Sequence, residues 1–139
     1  MTSSMPPSGS ASPPSIAAIE QALERWLAAL NQRGEPDAVQ AAFTSDIRIE
    51  RHPPRPRAQL GVGEPVEVLQ GHAEVTTWLA RSPDGTVFAL VAAPVLEGEV
   101  VQAEYSIAVE DFRNGGRWLL RLEGERICWI GHHPAALEM

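Results

Sequence analysis

The chain has 139 residues, 44% of them apolar and 21% charged, enough for one domain with a core of its own. Its formal charge of -7 argues against a nucleic-acid binder, which would carry a basic surface, and against adhesion to an anionic membrane. The lone cysteine, Cys128, excludes an internal disulfide and fits a reducing cytoplasm, and no apolar run approaches the ~20 residues of a membrane span.

The opening "MTSSMPPSGSASPPS" lacks the basic start and apolar stretch of a secretory signal. Its Ser/Pro/Gly content cannot bury enough surface to offset chain entropy, so residues 1–14 are expected to be a disordered tail before a single domain at 15–139. Ser15 is placed as an N-cap. Ile16, Ile19, Leu23, Trp26, Leu27 and Leu30 follow at spacings of three and four, the stripe of an amphipathic helix. "NQRGEP" ends it, with Gly34 expected at C′. Pro36 then opens a short second helix whose inner side is Val39, Ala42 and Phe43.

"DIRIERH" alternates, so Ile47, Ile49 and Arg51 share one face of a strand while Arg48, Glu50 and His52 share the other. Four prolines and two glycines make residues 53–65 a loop. Its neighbourhood is locally basic, but Arg48, Arg51, Arg55 and Arg57 lack the interleaved aromatics that stack on bases. "VEVLQG" reads as a short strand and "GHAEVTTWLARSP" as a third helix presenting Val75, Trp78 and Leu79. "TVFALVAAPVLEG" and "EVVQAEYSIAVEDF" read as long strands, the second with Val101, Ala103, Tyr105, Ile107 and Val109 on one face. "NGG" at 114–116 is expected to be a hairpin turn, because Asn and Gly accept positive φ. "RWLLRL", a turn at "EGE" and a final strand "RICWIGHH" complete the chain. Helices first and a meander second give an α+β fold.

Three pieces in this order resemble the nuclear-transport-factor-2-like superfamily: "RWLAALNQRGEPDAVQAAFTSDIRIE", "VLQGHAEVTTWL" and "RWLLRLEGERICWIGHHP". That group includes ketosteroid isomerases, limonene epoxide hydrolases and SnoaL-like cyclases. The resemblance covers residues 15 to 134. It implies a cone, a curved antiparallel sheet wrapped around a long N-terminal helix with a pocket at one end, and a homodimer through the outer face of the sheet.

The resemblance does not carry the isomerase's catalytic set across. The base position falls on Arg51, with Glu50 beside it on the opposite face. The tyrosine position falls on Trp26, and the second acid falls near Trp118. Arg51, Glu104, Glu110, Asp111 and Arg113 are the raw material for an epoxide-hydrolase relay, although Glu104 has outward parity. The late-strand acid of the cyclases has no counterpart nearer than His132 and His133.

The residues themselves nominate Arg51, Tyr105, His132 and Glu50 for chemistry. Arginine binds carboxylates through a paired fork, tyrosine can orient a carbonyl, and imidazole titrates near neutrality. Trp26, Trp78, Trp118 and Trp129 are nominated for ligand contact, Trp129 on the strength of its parity with Ile127. Cys128, His132 and His133 put three potential ligands on one strand, short of the four a structural zinc needs, so no metal is expected. No glycine-rich phosphate loop calls for a cofactor. The partner expected is a small apolar or aromatic molecule, anionic ones included. Two roles stay open: an acid/base isomerase, cyclase or dehydratase, and a non-catalytic binding or dimerisation module.

Overall fold

The structure, a computed structural model, describes residues 14–136. The tail expected at 1–14 therefore lies, apart from Pro14, outside the described residues. Three helices, α1 (Ile16–Asn31), α2 (Pro36–Ala42) and α3 (Gly71–Leu79), accompany seven strands. These are β1 (Phe43–Arg51), β2 (Glu67–Gln70), β3 (Val87–Leu90), β4 (Val95–Glu97), β5 (Val100–Val109), β6 (Phe112–Glu123) and β7 (Arg126–Pro134). The strand order is β2-β1-β7-β6-β5-β3, with β4 also pairing β5. The result is the expected α+β cone, a curved, unclosed sheet around α1.

The sheet is mixed, not purely antiparallel: β1 and β7 run parallel. A tight turn forces its two strands to oppose each other, but β7 returns to β1 only after the whole of residues 52–125, so no turn dictates their sense. Arg51 and His132 are partners across this pair.

The stripe on α1 enters the core from Ile19 onward, while Ile16 in the first turn is exposed. Ser15 caps the helix by accepting from the Ala18 N–H at 3.1 Å. Trp26 is fully buried, edge-on to Phe43 at 5.5 Å and to Trp118 at 5.4 Å. An indole removes about 200 Å² from water, an upper figure of roughly 5 kcal/mol. Ile47, Ile49, Val101, Leu120, Ile127 and Ile130 meet the helix from the inner face of the sheet. The helix ends in a Schellman motif: Arg33 N–H donates to Leu30 O and Gly34 N–H to Ala29 O. Gly34 thus sits one place beyond its expected position, and Arg33, at φ 54°, takes C′. Gly34 also has positive φ, and a Cβ there would meet the Thr76 carbonyl at 2.9 Å.

The stretch "TVFALVAAPVLEG", expected as one long strand, is the two short strands β3 and β4, and two further sequence expectations need correction. The "NGG" triplet is not a turn. It lies inside β6, and the hairpin closes two residues after Val109, at Glu110 and Asp111, with Glu110 holding the positive φ. Gly115 and Gly116 serve close approach instead: a Cβ on Gly116 would lie 2.3 Å from the His133 carbonyl and 2.7 Å from the Tyr105 hydroxyl. Second, Trp129 does not share the inward face of Ile127. Leu122 pairs with Ile127 but Arg121 pairs with Trp129, which leaves Cys128 as an extra bulged residue. The bulge reverses the alternation beyond it. Trp129 turns outward beneath the Arg121 guanidinium, 5.7 Å from its ring, while the fully buried Ile130 joins the core.

Candidate functional site

Between the ends of α1 and α3 and the sheet lies a cavity of about 290 Å³. Its walls include Arg51 from β1, Trp78 from α3, Tyr105 from β5, Asn114 from β6 and His132 from β7, with Phe112 at the hairpin. Four surface grooves are larger: about 410 Å³ between β2 and α3, about 450 Å³ beside Thr44 and Arg126, about 370 Å³ beside Leu27 and Leu90, and about 390 Å³ beside Ile16 and Leu96. None of them is lined by Arg51, Tyr105 or His132.

Of the side chains nominated from sequence, Arg51, Tyr105, His132 and Trp78 line the cavity. Glu50 does not. It lies on the other face of β1 and accepts from Arg48 Nε at 3.0 Å. Trp26 and Trp118 are packed in the core and do not line the cavity wall, and Trp129 lies on the outer face. Asn114 and Phe112 were not nominated. Reading "NGG" as a turn concealed Asn114, whose side-chain amide donates to Ala135 O at 2.9 Å.

The lining is rich in donors, and among the described residues no carboxylate lines the cavity. Arg51 pairs through Nη1 with Glu67 at the start of β2, and its guanidinium lies 5.3 Å from the Trp78 ring centroid. Arg51 Nε is buried without a partner among the described residues. His132 stands edge-on to Trp78 at 5.5 Å and accepts at Nδ1 from the Trp118 indole N–H at 3.1 Å. Burial, helped by the nearby Arg51 charge, pushes its pKa down to about 3, so the ring is neutral at pH 7. The Tyr105 ring stacks on Trp118 at 4.3 Å, and burial holds its phenol above the ordinary range.

The next residue of each strand faces the opposite way. His52 and His133 are both buried on the outer side of the sheet and stack at 3.8 Å. The loop at 53–66 covers them. Arg55 is its peg, donating to His52 Nδ1 at 3.1 Å, to Val62 O at 2.6 Å and to Glu64 O at 3.0 Å. Burial holds the pKa of His52 below its usual value and pushes that of His133 down to about 4.

Among the described residues no cluster of three His, Cys, Asp or Glu side chains is placed to hold a metal, and no helix is long and apolar enough to cross a membrane.

No family model matches this chain, and no curated protein does. Solved structures do. An NTF2-like protein from Mesorhizobium loti superposes with a TM-score of 0.67 at 15% identity, over 90% of this chain and 98% of that one. A protein with a cystatin-like fold from Methylobium petroleophilum gives 0.67 at 15% identity, over 92% and 82%. An LEH-like epoxide hydrolase from M. tuberculosis gives 0.58 at 19% identity, over 87% and 85%. The architecture of this chain is that of the nuclear-transport-factor-2-like proteins.

Proposed function

We propose that this protein is a small-molecule receptor whose cavity takes an apolar or aromatic compound carrying a negative charge. The observation that supports this reading best is Arg51: among the described residues its Nε is buried and unpartnered, and the lining of its cavity holds no carboxylate. An arginine held over an aromatic ring is preorganised to grip a carboxylate, and the lining rings suit a flat apolar body.

An isomerase, cyclase or dehydratase would need a base in the cavity. Glu50 faces away, and a histidine with a pKa near 3 is a poor proton acceptor at pH 7. Binding is therefore the favoured role. A thermal-shift screen with benzoate, phenylacetate and larger aromatic acids tests it, with Arg51→Ala as the control. The wild type should be stabilised and the variant not. A wild type indifferent to every acid, or a variant that responds equally, would remove the basis for the reading.

A second role, dimerisation through the outer face of the sheet, draws on Trp129, a half-buried indole turned away from the core. The two readings are compatible, because the cavity and that face lie on opposite sides of the sheet.

A further inference from the structure

The cavity's chemistry depends on a residue outside it. Trp118 is fully buried in β6, directly across from His132 in the β6/β7 register. An indole N–H can only donate, and here it donates to His132 Nδ1 at 3.1 Å. Nδ1 must then hold its lone pair. A neutral imidazole carries one proton, so that proton is on Nε2. A doubly protonated ring would set an N–H against the indole N–H, a cost added to that of burying the charge. Tyr105 lies alongside, stacked on Trp118 at 4.3 Å and on His132 at 5.6 Å, and Trp78 meets the His132 edge at 5.5 Å. These rings leave the imidazole little freedom to turn over.

We infer that Trp118 is a positioning residue that fixes His132 as an Nε2–H donor toward the cavity, so that the site selects ligands offering a second oxygen acceptor beyond the group held by Arg51. The ligand class is thereby narrowed to aromatic or apolar acids bearing a carbonyl or a second carboxylate. Acids whose second group is chiefly a donor, such as an amine, would set N–H against N–H. This specificity rests on the receptor reading above, whereas the tautomer does not. Burial agrees with it, since the ring stays neutral far below pH 7.

Two measurements test the inference on the full chain. Nitrogen-15 spectra of the free protein report the tautomer directly: His132 Nε2 should show the protonated signature and Nδ1 the bare one, unchanged from pH 8 to pH 5. In Trp118→Phe the two tautomers should mix. Binding of 4-acetylbenzoate and 4-aminobenzoate reports the specificity. The wild type should favour the keto acid by about tenfold, the worth of one net hydrogen bond, and Trp118→Phe should bring the two within about twofold. A proton on Nδ1 in the wild type, or a keto preference that survives in Trp118→Phe, overturns the inference. So does wild-type affinity that climbs on acidification through pH ~6.5, where an ordinary histidine gains its charge. If neither acid binds while the Nε2–H signature is present, the receptor reading fails and the role of Trp118 in fixing the tautomer stands. If Trp118→Phe does not fold, the wild-type spectra and pH series still decide.

Discussion

His52 and His133 stack at 3.8 Å on the side of the sheet opposite the cavity, while the residues just before them, Arg51 and His132, line the cavity from the same two strands. Strand alternation thus places two histidines in a dry layer under the loop and one beside the ligand site. Charged groups reach the stacked pair from several elements: Arg55 and Glu64 from the loop, Glu50 from β1 and Arg117 from β6.

This arrangement makes the fold acid-sensitive. His52, His132 and His133 all have folded pKa values below the ordinary 6.5. Below that value the unfolded chain binds protons that the folded chain refuses. Stability is therefore complete above pH ~6.5 and declines as pH falls toward about 4 for His133 and about 3 for His132. Each histidine adds up to about 1.4 kcal/mol per pH unit within its window. Denaturant midpoints between pH 7.5 and 4.5 measure the slope. His133→Phe, which keeps a ring in the stack, should make it shallower, and an unchanged slope would assign the acid sensitivity to other groups.

Arg55 holds the loop closed. Its guanidinium reaches one imidazole and two carbonyls, and a Cβ on Gly63 would lie 2.6 Å from Arg55 Nη2. Arg55→Ala should cost about 1–2 kcal/mol, because it leaves His52 Nδ1 unpaired beneath the loop, while the exposed Val62 and Glu64 carbonyls can turn to water. Hydrogen exchange should quicken across residues 56–66 and hardly change in α1. Uniform quickening across the chain would mean that the loop does not open on its own.

Gly116→Ala tests the correction made to the "NGG" triplet. A residue in an open turn tolerates alanine, but here a methyl group would meet a backbone oxygen at 2.3 Å. The expected loss is about 1–3 kcal/mol, as for other overpacked sites. It should be accompanied by a change in near-ultraviolet circular dichroism as Tyr105 shifts on Trp118. A variant as stable as the wild type would put the triplet back in a turn.

The outer-face assembly is tested at Trp129. If two copies meet there, Trp129→Glu should lower the mass seen in sedimentation from dimer to monomer without lowering Tm below that of the monomer. A wild type that is monomeric at all concentrations excludes this mode.

The helices and most strands were legible because each shows a clear period: the stripe of α1, the alternation of Ile47, Ile49 and Arg51, and the inward set on β5. Features that depend on pairs of strands were not. The positive φ at Glu110 falls on a residue with no turn preference, while Asn114, Gly115 and Gly116 mimic a turn because glycine also serves close packing. The parallel β1/β7 pairing brings Arg51 beside His132 across eighty residues, and nothing local announces it. For the site, sequence supplied Arg51, Tyr105, His132 and Trp78. It could not supply the Trp118 bond to His132, because that depends on cross-strand register.

The odd residue at Cys128 has a reach out of proportion to its own contacts. Its thiol meets Arg121 O at 3.5 Å and nothing else in its neighbourhood asks for sulfur. Yet its place as a bulge sets the phase of the strand: were Cys128 itself paired opposite Arg121, every later residue would slide by one, presenting His133 to the hollow and sending His132 beneath the loop. A shortened chain lacking position 128 would close the bulge and leave Trp129 on Arg121 and His132 on Trp118, so which imidazole meets the ligand turns on how the strand absorbs its spare residue and not on the sulfur.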